Sequence, residues 1–504
     1  MTRKTPDPAA RVLEVGARLE CGPSERLVQT AFRRELEDQL ALFEAMGRMD
    51  LAHTLVMLDA GIIPPEPGRE LLAALLELHG QPDDFQPDPA RGDLYTNREA
   101  WLAGRTPAVG WLGAGRARRE ATTTAFHIKL RDDLLDLAEA LAAFGHVLTR
   151  RAGELREALL PDYTYLQAAQ PTSFGHYLLG FAYPVLRDLE RLRGLYGRVN
   201  LSPAGCGSTN GSRLPQDRQR LAELLGFDGL AVHARDAMWQ ADLPIETAAA
   251  LTAILVNLDR LAEDLQIFST EEFGLVELDD RHARASKIMP QKKNPFALTH
   301  VRGLANAMLG TLTASAAAGR TPSGQPDNRL ALYGALPRAI EDTRDAVDLM
   351  GEVVDLFIFN ERQGRARLAD GQALATDLAE VLVLECGLDF RRAHRLVGVL
   401  VRQGLAAGDG LNRLTPEILS ATAEAVLGQR IELNEAMLRG ALDPLVAIAA
   451  RTGAGGAAPD AMAAMLDECG QAIAEFAAWT RDHQQRLQGA ETRLLQIARQ
   501  TTQK

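Results

Sequence analysis

The chain has 504 residues, 46% apolar, 24% charged and 5% aromatic, a folded globular composition that excludes a disordered, collagen-like or disulfide-scaffold protein. Its 55 basic residues stand against 67 acidic ones, a net charge of −12. That is the wrong sign for a protein that grips a phosphate backbone, so nucleic acid is not expected as a partner. The four cysteines (Cys21, Cys206, Cys386, Cys469) are far apart with no CxxC pair and read as reduced thiols of a cytoplasmic protein.

From the N-terminus, MTRKTPDPAARVLEVG places Pro and Asp where a secretory leader needs continuous apolar residues. Apolar positions then recur with helical period. Leu130, Leu134, Leu137, Leu141 and Phe144 fall on one helix face; Leu251, Leu255, Leu258, Ala262 and Leu265 repeat the pattern, and Ile340, Val347, Met350, Val354 and Phe357 extend it. Such narrow seams predict long helices packed at shallow angles, because only near-parallel neighbours keep a seam in register. Residues 176–196 also read as helix, with a kink expected at Pro184. Little alternates with period two, so strands should be minor. The longest apolar stretch, 248–258, stops at Asp259, short of the roughly 18 residues that suggest a membrane span; no membrane partner is expected. Breaks rich in Gly and Pro fall at 61–67, 79–92, 202–215, 318–328 and 453–459. They divide the chain into an N-terminal helical domain (1–118), a central long-helix bundle (119–368) and a C-terminal helical domain (369–504), an all-α protein.

No HExxH, zinc-spaced Cys/His cluster, Walker sequence or GxGxxG is present, so neither a metal nor an organic cofactor is expected. Two loops carry the chemistry instead. Gly113–Glu120 (GAGRARRE) puts three arginines beside two glycines ahead of a helix expected to begin near Ala121. This is either a carboxylate site built from guanidinium forks and helix N–H groups or a solvated cationic turn. The second loop, Arg284–Pro295 (RASKIMPQKKNP), offers a hydroxyl, three lysines and an amide before a helix-starting proline.

The second loop resembles the signature of the fumarase/aspartase superfamily, and MPQKKNP is most similar to its argininosuccinate lyase branch. Further matches run through Ala52-His53, Asn97 with Glu99, Gly115–Arg118, Tyr163–Pro171 (YTYLQAAQP), Ser202–Gly207 (SPAGCG), Ala262–Leu265, Ala375–Leu378 and Arg451-Thr452. The resemblance implies an all-α subunit of three domains that assembles as a homotetramer, with each active site shared between subunits. It implies reversible β-elimination from a succinyl-type, small-molecule carboxylate substrate to give fumarate, without cofactor. Ser286 corresponds to the proton-abstracting base, and Lys292 and Asn294 to donors for the carboxylate that gathers charge as the carbanion forms. Thr164 and Tyr165 complete the implied catalytic set; Tyr95, Asn97, Arg118, Arg119, Gln167, Lys287 and Met289 fall at substrate positions.

The departures bear on substrate. Tyr165 stands where the family has histidine, and Thr299 where that histidine's glutamate partner belongs. A phenol with a reference pKa of about 10 donates a proton but shuttles one poorly near neutrality. Tyr95 also replaces a histidine. Arg119 is an added cation, the run Trp239–Asp242 lacks the family's arginine, and the residues that grip the arginine end of argininosuccinate are replaced around 325–333. Lys287 replaces a second serine, where it lowers the Ser286 pKa, binds a substrate anion, or is a plain surface lysine. The reading is a carbon–nitrogen lyase acting on a substrate other than argininosuccinate, in specialised biosynthesis. Its alternatives are argininosuccinate lyase itself and a non-catalytic paralogue.

Overall fold

The computed structural model describes residues 18–324 and 330–504. The leader reading, and the part of the substrate-end replacements at 325–329, lie outside the described residues. Six long helices form the body: α1 (Arg118–Glu154), α2 (Phe174–Val199), α3 (Asp242–Phe268), α4 (Phe296–Gly319), α5 (Leu332–Leu356) and α6 (Pro459–Thr502). The three apolar seams read from sequence lie on α1, α3 and α5 with its C-cap Phe357, and every seam residue is at most 3% exposed. α2 runs unbroken through Pro184.

The helices alternate in direction, which gives the body two distinct ends. The N-terminus of α1 meets the end of α2 where His127 Nδ1 lies 3.0 Å from Val199 O; Thr123 lies 3.4 Å from Tyr333 at the start of α5. At the other end Arg150 of α1 pairs with Asp355 of α5, and Tyr177 near the start of α2 donates to Asp264 near the end of α3 at 2.8 Å. Arg302 of α4 reaches Asp259 and Glu263 of α3 at 3.3 and 3.0 Å, while Gly319 closes on Ala241. α3 and α4 are therefore antiparallel, and the α3–α4 connection lies at the end opposite to Arg118.

Strands are confined to short pairs. A hairpin, β1 (Leu159–Thr164) and β2 (Gln167–Ser173), leaves the end of α1 and leads into α2. A second, β3 (Arg284–Ala285) and β4 (Lys293–Asn294), closes the Ser286 loop. Pairs 201–202 with 229–230 and 276–277 with 358–359 complete the set among the described residues. Residues 378–441 close a separate apolar core of their own, with Leu378, Leu382, Leu396 and Leu419 buried. The final 44-residue helix α6 does not join them: Met462, Cys469, Ile473 and Leu494 pack into the main core together with residues 36–359. Asp377 and Arg451, on either side of the smaller core, pair at 2.9 Å.

Candidate active site

Arg118 begins α1, three residues earlier than expected, with Ala117 as the extended N-cap. Arg118 and Arg119 thus sit in the first helical turn, not in the preceding loop. Their charges are already engaged. Arg118 Nε lies 3.1 Å from the buried Asp93 but keeps half of its side-chain surface; Arg119 pairs with Glu35 at 3.0 Å. Arg116 is wholly buried on Asp50 at 2.7 Å, and Arg98 occupies the other oxygen of that carboxylate at 2.9 Å. The expected anion site on three arginines therefore reduces to Arg118, because long-range carboxylates claim the other two.

Tyr95 and Asn97 stand close by but face inward. The Arg116 guanidinium lies 5.4 Å from the Tyr95 ring, and burial pushes that phenol up to about 12. The Asn97 amide donates to Gly92 O and Asp93 O and accepts from the Asp88 N–H, which fixes the turn that presents Asp93. His53 is also buried, and desolvation together with Arg116 holds its pKa well below the usual range, so the ring is neutral.

Glu120, which the sequence reading passed over, organises this end. It is buried, and accepts the N–H groups of Gly205 at 2.7 Å and Gly207 at 2.6 Å. Both glycines have positive φ, at +73° and +68°, which side chains rarely adopt. Burial pushes the Glu120 carboxyl up to about 7 against the pull of these amides, Arg116 and Arg218. The paired glycines of SPAGCG were the available signal.

At the opposite end the Ser286 loop has a defined face. Arg284 pairs with Asn294 and Ala285 with Lys293, and the ladder continues where Ser286 N–H donates to Lys292 O at 3.2 Å. Strand alternation puts Arg284, Ser286, Lys292 and Asn294 on one face and Ala285 and Lys293 on the other. Ser286 Oγ accepts the Met289 N–H at 3.0 Å and the Ile288 N–H at 3.4 Å. Two backbone donors on one hydroxyl oxygen favour its charged form. Lys293 is tied back to Asp280 at 2.7 Å and to Glu277 at 3.5 Å. Lys287 and Lys292 are exposed and have no ion-pair partner among the described residues. The Asn294 amide donates to Arg284 O at 2.9 Å, and Met289 is partly exposed at the loop's crest.

Thr164, Tyr165 and Gln167 form the tip of the first hairpin, at this same end. Thr164 pairs with Gln167, so Tyr165 and Leu166 make a two-residue turn, with φ at +56° and +57° and neither residue a glycine. Tyr165 is 100% exposed, and its side chain makes no hydrogen bond or ring contact among the described residues. One copy of the chain thus holds its candidates in two groups. The 24-residue α4 separates them by about 36 Å at 1.5 Å per residue.

Comparison with known proteins gives the family of this fold. A lyase family model covers residues 99–310 and an argininosuccinate lyase C-terminal model covers 372–448. The EDDS lyase structure in complex with formate superposes with a TM-score of 0.86 at 28% identity, covering 100% of this chain and 97% of the other. Class II fumarase from Schistosoma mansoni shares the fold, with a TM-score of 0.69 at 15% identity, over 87% of this chain and 94% of its own. The helical body is that of the fumarase/aspartase-fold lyases. Argininosuccinate lyase of Methanococcoides burtonii is 33% identical over 91% of this chain and 92% of its own; that of Methanoculleus marisnigri is 34% identical over 90% and 92%. The chain belongs to the argininosuccinate lyase-like branch of the fumarase/aspartase superfamily. Among the described residues no helix is long and apolar enough to cross a membrane.

Proposed function

We propose that the enzyme eliminates an amine from an N-substituted succinate to give fumarate, or runs the addition in reverse, on a substrate other than argininosuccinate. Ser286 takes the proton from the carbon beside a carboxylate. The carbanion pair forms the new double bond, and the C–N pair leaves with the amine. Lys292 and Asn294 stabilise the carboxylate as it gathers charge. The observation that carries this reading is the doubly amide-bonded Ser286 Oγ on the same face as Lys292 and Asn294. A serine hydroxyl becomes a usable base only when its oxyanion is held in this way.

The remaining parts come from other copies. No small substrate spans about 36 Å, so Arg118 and Ser286 of one chain cannot act together. A homotetramer that sets one copy's arginine end against the serine end of another completes the site, with Thr164, Gln167 and the Tyr165 phenol approaching as leaving-group contacts and Arg119, Tyr95 and Asn97 backing Arg118. α4 supports this assembly: Gly303, Ala307, Gly310, Ala314 and Ala317 form an exposed stripe at helical spacing, suited to close packing against another helix. Met289 and Lys287 then line the mouth of the shared site. Loss of the histidine–glutamate pair at Tyr165 and Thr299 supports a leaving group whose protonation needs no imidazole, and specialised biosynthesis as its setting.

Incubation with fumarate and a panel of amines, and separately with argininosuccinate, tests the reading. Fumarate is followed by ultraviolet absorbance and products by mass spectrometry. Turnover of one or more amines with none of argininosuccinate is expected. Rapid fumarate release from argininosuccinate would identify the second reading, argininosuccinate lyase itself. No turnover of any compound would favour a non-catalytic paralogue.

A further inference from the structure

Arg284 shares the face of Ser286, Lys292 and Asn294, because Arg284 and Asn294 are direct cross-strand partners and Ser286, two residues later and just past the end of β3, continues the pairing through its N–H to Lys292 O. Its guanidinium carbon lies 3.7 Å from the centroid of the Phe296 ring, the first residue of α4. Stacking fixes a planar cation while leaving its N–H edge free. That edge has no hydrogen-bond or ion-pair partner among the described residues, whereas Arg116, Arg118 and Arg119 each hold a carboxylate. The hairpin's other face is neutralised through Lys293 with Asp280 and Glu277. Uncompensated positive charge is thus concentrated on the reacting face, more than a succinyl group bound by Lys292 and Asn294 requires.

We propose that Arg284 is a specificity-determining residue that binds a carboxylate on the amine portion of the substrate, with Lys287 adding to the field. The amine expelled or added would then be an amino acid, and the N-substituted succinate at least a tricarboxylate. Stacking on Phe296 sets the fork so that a carboxylate meets two parallel N–H groups. This assignment rests on the lyase reading above for the position of the succinyl part.

The test compares binding of N-(carboxymethyl)aspartate and N-methylaspartate by calorimetry, with turnover of fumarate plus glycine and fumarate plus methylamine measured alongside. The wild-type assembly is expected to bind the tricarboxylate about ten- to a hundred-fold more tightly, the range of one charged hydrogen-bonded pair. In Arg284→Gln that ratio collapses toward one. Phe296→Leu, which removes the ring but not the charge, loses part of it. Equal affinities in the wild type, no binding of the tricarboxylate, or an Arg284→Gln variant that loses its assembly without a change in the ratio would each overturn the assignment. A binding preference without turnover of either pair sustains Arg284 and removes the lyase reading; turnover without preference does the reverse.

Discussion

The two ends of the body use arginine and lysine in opposite ways. At the arginine end cations are buried and matched: Arg98 and Arg116 share Asp50, Arg119 holds Glu35, and Glu120 closes the set with Gly205 and Gly207. At the serine end Arg284, Lys287 and Lys292 stand on a short hairpin with no ion-pair partner among the described residues, and Tyr165 projects from a turn at the same end with its whole surface exposed. The first arrangement makes a rigid platform that offers Arg118. The second leaves its charges and its aromatic ring open, a surface suited to an anion and to a packing partner.

The sharpest way to break this contrast is to keep the copies apart. A Cβ at Gly310 would meet nothing within 4 Å in one chain, so Gly310→Trp should leave the fold intact while dispersing the tetramer and abolishing activity, as read by light scattering with circular dichroism. An active monomer would sink the shared site. Next, Ser286→Ala should lower kcat by about 10²- to 10⁴-fold, the usual contribution of a positioned base, with little change in thermal stability. Unaltered turnover would remove Ser286 as base. Arg118→Met should raise KM for fumarate by roughly 10- to 100-fold through loss of a charged hydrogen bond. Mixing Ser286→Ala subunits with Arg118→Met subunits should give more activity at low fumarate than either variant alone if the ends belong to different copies; a mixture that only averages its two parents would argue that each chain carries its own site.

The smallest effect concerns Glu120. Its folded pKa of about 7 lies above its unfolded value, so the folded state retains the proton longer. That contribution is full below about pH 4.5 and lost as pH rises through 7, worth up to about 3 kcal/mol. Glu120→Gln is neutral throughout. The melting temperature of wild type relative to this variant should therefore fall between pH 5 and 8, and parallel curves would show an unperturbed carboxyl.

What could be read in advance followed from periodicity and local order. The seams at 130–144, 251–265 and 340–357 needed only the helical repeat. The strand pair around Ser286 keeps Lys292 and Asn294 beside it because their spacing is local. The charge states of the arginines were hidden because their partners lie 66 and 84 residues away, at Asp50 and Glu35. Arg284 escaped notice because only the register of β3 and β4 shows which face it shares. The early start of α1 was missed for a similar reason: Ala117 gives no side-chain cap, so the boundary carries no residue signature.

The position of α6 sets the order in which the protein can be completed. Residues 378–441 enclose a core without help from later sequence, so this smaller unit can consolidate while synthesis continues. The larger body cannot, because its wall against α1 and α2 is supplied by Ile473, Phe476 and Leu494. Until the 44 residues of α6 leave the ribosome, the helices they cover keep an open apolar trough. The consolidation of the body therefore waits on α6, and a premature stop within this helix would be read by the cell as a folding failure of the whole body.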